Sequence, residues 1–171
     1  PPMRFPRFPI SHANANPAPD NAALAEVLRL GVMDAQATLR LVRGNARQWN
    51  IDPDRVGIMA TSAGGGLAFG ALMAGEDGAT PDFIISIFAP ALQDVSVPAA
   101  DAPPLFLVTE ADHGAVTDGL VALFQMWKER DQPAELHVYE VPNFSMRVSL
   151  WGDRLIDWMR ERRFLPSAAG D

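Results

Sequence analysis

Ser62 lies in a run of small residues, Ala60-Thr61-Ser62-Ala63-Gly64, between an apolar segment of strand length and a helical segment. Small residues on both sides of a serine let a strand and a helix meet at a sharp bend, which exposes the hydroxyl at the end of the strand. The Ala63 N–H would then stand at a helix N-terminus, where negative charge is favoured. We therefore predict that Ser62 is an acyl-transfer nucleophile and that Ala63 is its oxyanion donor. The alternative is a glycine-rich turn that binds a phosphate or only packs tightly.

The elements that would position this turn are apolar runs of strand length alternating with helical segments. The first three runs are apolar at consecutive positions, which is typical of strands covered on both faces. We therefore predict an α/β fold, a three-layer α/β/α arrangement around a mostly parallel sheet of about four to five strands. The predicted strands are Val56–Ala60, Phe83–Ala89, Leu105–Thr109 and Leu136–Val141, and the predicted helices are 22–30, 32–49, 63–74, 117–130 and 150–162.

Two finer predictions concern the helices. Gly31 is expected to separate a short first helix from a longer second one. Apolar residues recur at steps of three and four along that second helix and predict one buried stripe: Val32, Ala35, Leu39, Val42, Ala46 and Trp49. Three later tryptophans fall on helix faces directed at the sheet and are expected in the core: Trp127, Trp151 and Trp158.

Composition and charge bound the class of protein. The 171 residues carry a formal net charge of −7, which argues against nucleic acid as a general partner. The absence of cysteine excludes disulfides, thiolate metal sites and a cysteine nucleophile. The sequence contains no run of 18 apolar residues, so we expect no membrane-spanning helix. No cluster of His, Asp or Glu residues has the spacing of metal ligands. We predict no cofactor, no metal and no membrane partner.

The chain is expected to form one domain. Residues 1–21 are rich in Pro and Asn and predict an extended lead, with a short edge strand near residues 3–8 as the alternative. Residues 22–165 would form the domain and residues 166–171 a flexible tail. The N-terminus lacks the pattern of a signal peptide, so a cytoplasmic location is the default and secretion after signal removal the alternative.

The segment from Asp34 to Gly66 resembles the acetyl-xylan-esterase and hormone-sensitive-lipase-like branch of the α/β-hydrolases. Ala60 stands where the first glycine of that family's G-x-S-x-G turn is usual. The resemblance covers roughly residues 32–165 and implies an α/β-hydrolase fold with Ser62 as nucleophile. Later segments are similar to the family in the same order, namely 102–112 to its acid-bearing strand end, 133–140 to its last strand and 151–165 to its closing helix.

Departures from the family concern its catalytic groups. The family's glycine-rich oxyanion loop, His-Gly-Gly-Gly, has no counterpart among the residues before the long helix. Where the family's strand ends in two acidic residues, this chain has Asp112 and His113. Asp112 is the triad acid if the loop is shifted by one residue, and otherwise His113 occupies the acid's place. Phe144 stands about where the family's base histidine is expected.

Three histidines are therefore candidates for the base. His12 lies in the lead and is expected to be solvated, and His137 lies within a strand, where the family often has a histidine without a catalytic role. His113 is the candidate base for Ser62, oriented by Asp112 or Glu110. Its alternative is an exposed loop histidine. Asp94, after the second predicted strand, is an alternative acid or a turn residue.

The resemblance and its departures imply an N-terminally truncated member with a degraded triad. We predict a weakly active serine hydrolase of the carboxylesterase type that acts on short acyl esters. The alternative is a non-catalytic remnant that serves as a binding or assembly module. Because truncation would leave one sheet edge uncovered, a homo-oligomer formed through that edge is also predicted.

Overall fold

The computed structural model describes residue 16 and residues 22–96, 101–140 and 147–166. The lead, the tail and the segment that contains Phe144 therefore lie outside the described residues, apart from Asn16 and Pro166. Five α-helices, four strands and one 3₁₀ helix occur in the described ranges. In chain order these are α1 Ala22–Gly44, α2 Ala46–Trp49, β1 Ile58–Thr61, α3 Gly64–Ala74, β2 Ile84–Ile87, β3 Leu105–Glu110, α4 Ala115–Glu129, β4 Ala134–Tyr139, the 3₁₀ helix Val148–Leu150 and α5 Gly152–Glu161.

The four strands form one parallel sheet in the order β1-β2-β3-β4. Ala60 pairs with Ser86 and Ser86 with Leu107, so the middle positions of the first three strands are in register. Parallel neighbours need a crossover connection rather than a tight turn, and α3 and α4 belong to two of these connections. The predicted parallel sheet is confirmed, with each strand within about two residues of its predicted limits.

Hydrophobic cores lie on both faces of the sheet. Successive residues of β3 alternate between them, because successive strand side chains point to opposite faces. Leu105 and Leu107 pack with α3 and α4, whereas Phe106 and Val108 pack with α5. The predicted three-layer arrangement is confirmed. The three tryptophans expected in the core are buried: Trp127, Trp151 and Trp158.

The prediction that Gly31 interrupts the first helix is wrong, because α1 is continuous from Ala22 to Gly44. Gly31 lies where α1 packs against α3, and a Cβ atom there would meet the Leu67 side chain at 3.1 Å. The glycine therefore provides room for a helix–helix contact. The predicted stripe is also too long, since Trp49 is 48% exposed at the end of α2.

Strand β1 has a hydrogen-bonded neighbour on one side only within the described residues. Its Met59 side chain is 53% exposed, whereas its Ala60 side chain is buried. In the described ranges, no helix combines the length and apolar character needed to cross a membrane.

Candidate active site

Ser62 lies at the bend that joins β1 to α3. Its φ angle is 51°, in the left-handed region that side chains other than glycine rarely adopt. The residue is exposed, while Ala60, two positions earlier, is buried in the sheet. A strained conformation of this kind persists only where the surrounding structure holds it. The bend thus places the Ser62 side chain at the carboxyl end of the sheet, as the sequence predicts.

The first turn of α3 forms immediately behind this serine. The Gly65 N–H donates to the Ser62 carbonyl at 3.2 Å, and the Gly66 N–H donates to the Ala63 carbonyl at 3.1 Å. Ala63 has helical backbone angles, is exposed and stands at the N-cap of α3. The Ala63 N–H consequently lies at the positive end of an eleven-residue helix.

The glycines of the turn fix how closely α3 approaches the chain after β2. A Cβ atom on Gly65 would lie 2.3 Å from the backbone carbonyl oxygens of both Ala89 and Pro90. A Cβ atom on Gly64 would meet Ala60 at an ordinary 3.7 Å. The close approach expected at the serine turn therefore occurs at Gly65, one residue later than the motif indicates.

The chain after β2 and the chain after β3 meet at the same end of the sheet. Phe88, also at a positive φ of 41°, follows β2, which lies between β1 and β3. Its ring centroid is 6.2 Å from that of His113, with the planes inclined by 32°. The carboxyl ends of neighbouring parallel strands thus bring His113 to the sheet edge where Ser62 lies.

Glu110, rather than Asp112, is the carboxylate that faces His113. Glu110 Oε1 lies 3.7 Å from His113 Nδ1, which is ion-pair range and longer than a hydrogen bond. The His113 Nδ1 atom is buried, and it neither accepts nor donates a hydrogen bond within the described residues. Asp112 is exposed. Of the two acids named for His113, Glu110 is therefore the one within ion-pair range of the imidazole in the described residues.

Ser62 and His113 are not hydrogen-bonded to each other in the described part of the chain. Of the other two histidines considered for the base, His12 lies outside the described residues and His137 lies within β4. Phe144, which stands about where the family's base histidine is expected, also lies outside the described residues. Hydrogen bonds of catalytic groups are often long in the absence of substrate, so the geometry alone does not reject His113.

His137 has a structural environment. It lies inside β4, opposite Val108 in register, and its Nε2 atom is 2.7 Å from Glu135 Oε1. Glu135 also receives two hydrogen bonds of 2.7 Å from Arg154 of α5. These bonds, above all those from Arg154, hold the pKa of the Glu135 carboxyl below its ordinary value. His137 therefore belongs to a group that joins α5 to the sheet.

No group of three or more His, Asp or Glu side chains in the described residues is arranged to hold a metal ion. Asp94, the alternative acid, accepts a hydrogen bond from Asn16 Nδ2 at 3.3 Å. It lines a cleft along α1, and neither Ser62 nor His113 lines that cleft.

No protein-family model and no curated protein sequence matches this chain. Solved structures do match. An acetyl ester-xyloside bifunctional hydrolase from Caldicellulosiruptor lactoaceticus is 22% identical over 78% of this chain and 66% of its own, with a TM-score of 0.62. The chain has the α/β-hydrolase fold.

Two further structures with this fold agree. An α/β-hydrolase from a Medee basin deep-sea metagenome library is 19% identical over 78% of this chain and 65% of its own, with a TM-score of 0.66. A bacterial heroin esterase is 18% identical over 80% of this chain and 60% of its own, with a TM-score of 0.58. This chain therefore spans less than two thirds of the length of each of the three.

Sequence reasoning missed two features, one beside the candidate site and one in the cleft along α1. The positive φ of Phe88 has no sequence signal, because Phe is not a residue type that favours that region. The cleft along α1 has a weak signal: Gln36 is a polar residue one turn after Val32 on a helix with an otherwise apolar inner face, and it is buried.

Proposed function

We propose that the protein is a serine hydrolase of the carboxylesterase type that cleaves short acyl esters through Ser62. The observation that carries the proposal is the strained, exposed Ser62 between β1 and α3 of an α/β-hydrolase fold. Similar structures include an acetyl ester hydrolase and a heroin esterase, and for this reason we choose ester chemistry. Those proteins are longer than this chain, and ester hydrolysis by this chain is therefore our proposal.

The reaction would follow two displacement steps. Ser62 Oγ attacks the ester carbonyl carbon, its proton passes to a base, and negative charge develops on the carbonyl oxygen. Collapse breaks the ester C–O bond, and the base returns the proton to the departing alcohol. Water then attacks the acyl-Ser62 carbonyl while the same base accepts its proton. The bond between the acyl carbon and Ser62 Oγ breaks, the base returns the proton to Oγ, and the carboxylic acid leaves.

Ala63 would stabilise the oxyanion through its N–H at the N-terminus of α3. One oxyanion-hole donor is worth about 3 kcal/mol, or roughly 10²- to 10³-fold in rate. The 171 residues contain no His-Gly-Gly-Gly segment that would supply a second donor in the family's manner. We therefore propose a turnover lower by about that factor than the turnover of a two-donor site.

His113 would serve as the base, with Glu110 as the acid that orients it. Glu110 Oε1 is 3.7 Å from His113 Nδ1, which leaves Nε2 as the nitrogen to receive the Ser62 proton. Asp112, exposed beside them, would act only through its charge. This assignment replaces the acid that the family pattern favours with the carboxylate nearest to the imidazole.

Hydrolysis of p-nitrophenyl acetate and labelling by a fluorophosphonate test the proposal. We expect Ser62→Ala to abolish both, while Thr61→Val, which removes the neighbouring exposed hydroxyl, retains both. His113→Gln should reduce hydrolysis by about 10²- to 10⁴-fold, the usual worth of a general base. Glu110→Gln should reduce it more than Asp112→Asn. Equal hydrolysis by the wild type and Ser62→Ala would eliminate the proposed activity.

A second candidate is a non-catalytic module that keeps the fold to bind a partner. It is favoured by the Ser62 hydroxyl, which makes no hydrogen bond with a histidine of the described residues. A serine without an adjacent base is a weak nucleophile near neutral pH. This candidate requires that the fluorophosphonate fail to label Ser62, and stoichiometric labelling would reject it.

We also propose that β1 is the contact edge of a homo-oligomer. The strand is hydrogen-bonded on one side within the described residues, and Met59 is exposed there. An open strand edge is a template for pairing with another chain. Light scattering at micromolar concentration should show a mass above that of one chain, and Met59→Lys should reduce it. A monomeric mass for the wild type would contradict this proposal.

A further inference from the structure

A cleft of about 760 Å³ lies between α1, α3 and the chain after β2. Its volume is within the range of small-molecule sites, about 300–1,000 Å³. Neither Ser62 nor His113 lines it. The walls are largely apolar and include two methionines, whose flexible side chains adapt to different shapes: Leu28, Val32, Met33, Met73 and Leu92.

The floor of the cleft is held by close contacts of glycine in α3. A Cβ atom on Gly66 would lie 2.5 Å from the Leu28 side chain, and one on Gly70 would lie 2.2 Å from Val32. These contacts bring α1 directly against α3. The cleft therefore lies beside two helices, α1 and α3, that are in close contact.

Two buried side-chain amide atoms of residues that line this cleft lack hydrogen-bond partners within the described residues. Gln36 is only 4% exposed, and its Nε2 atom has no acceptor. Gln93 donates from Nε2 to the Gly66 carbonyl at 2.8 Å, which fixes the orientation of its amide and leaves the buried Oε1 atom without a donor. A buried polar group without a partner destabilises the folded protein, so such groups normally meet a ligand or water.

The charged residues of the cleft already have partners. Arg29 is paired with Glu26 at 2.8 Å, and Asp94 accepts from Asn16 at 3.3 Å. The unmatched groups are thus one neutral donor and one neutral acceptor in an apolar surrounding. A charged ligand would gain little here, whereas a neutral ligand with one acceptor and one donor would satisfy both.

We propose that this cleft is a binding site for a neutral, largely apolar molecule that carries a secondary amide. The carbonyl oxygen of the ligand accepts from Gln36 Nε2, and its N–H donates to Gln93 Oε1. The apolar arms of the ligand cover the leucine and methionine walls. This site is separate from Ser62, and its occupation requires no esterase activity.

N-Butylhexanamide and 6-undecanone test the proposal, because they have the same shape and the ketone lacks the N–H. Neither compound is an ester, so Ser62 is left intact in every protein tested, and ¹H–¹⁵N NMR titration measures binding. We expect saturable shifts with the amide and at least about 3-fold weaker binding of the ketone, the worth of one neutral hydrogen bond. Gln36→Leu should weaken amide binding by about 3- to 10-fold.

Two further variants keep the test decisive. Gln48→Leu removes an exposed glutamine of α2 outside the cleft and should leave amide binding unchanged. Ala25→Trp places a large side chain at an exposed rim position and should abolish binding even if Gln36→Leu does not fold. If the amide shows no saturable binding, the cleft holds only water and the proposal is overturned. Equal binding of amide and ketone that Gln36→Leu leaves unchanged would do the same.

Discussion

The left-handed conformation of Ser62 makes a prediction about stability that is independent of catalysis. Its φ of 51° is a conformation that glycine adopts without steric cost and alanine does not. The Ser62 side chain is exposed, so Ser62→Ala and Ser62→Gly both remove the hydroxyl and differ only by a Cβ atom. Comparison of these two variants isolates the strain of the backbone.

The magnitude follows from two opposing contributions. A Cβ atom in the left-handed region costs about 1–2 kcal/mol, which the glycine variant recovers. Glycine loses about 0.5–1 kcal/mol more conformational free energy on folding than alanine does. Ser62→Gly should therefore be more stable than Ser62→Ala by about 0.5–1 kcal/mol. For a domain of this size, that difference raises Tm by ~1–4 °C.

Urea unfolding followed by circular dichroism measures this difference. Ala37→Gly, at an exposed position inside α1, is the matched control and should lower stability by about 1 kcal/mol, because its backbone is helical. The two alanine-to-glycine differences should thus have opposite signs. If Ser62→Gly is less stable than Ser62→Ala by as much as the control loses, the bend does not require a left-handed residue and our reasoning about the turn is wrong.

The packing at Gly65 and the ion pair at Glu135 give two further predictions. Gly65→Ala should lose about 3 kcal/mol or prevent folding, because its Cβ would lie 2.3 Å from the carbonyl oxygens of residues 89–90; Gly64→Ala, with ordinary contacts, is the control, and equal thermal stability of the two would contradict the assignment. Arg154 lowers the pKa of Glu135, so their bonds stabilise the fold above the ordinary pKa of a glutamate and are lost as pH falls through the lowered pKa. Glu135→Gln should cost about 1–2 kcal/mol at pH 7 and progressively less as pH falls below the ordinary pKa of a glutamate, and a cost independent of pH in urea titrations would count against this account.

Local sequence patterns were sufficient to predict the sheet. Apolar runs at 83–89 and 105–109 predict buried parallel strands, because both faces of such strands are covered, and the structure has β2 and β3 there. The bend at Ser62 was equally predictable, since small residues after a strand and before a helix leave few other conformations. These features depend on neighbours in sequence.

Contacts between distant segments decided what the patterns left open. Gly31 was predicted to break a helix, yet it permits α1 to pack on Leu67, and no local pattern distinguishes these roles. The approach of Glu110 to His113, and of Gln36 to an apolar cleft, likewise depends on how separate elements meet. The sequence alone thus determined the alternation of strands and helices and the position of the serine bend. Only the tertiary structure decided which side chains share a surface, because that depends on the packing of elements far apart in the chain.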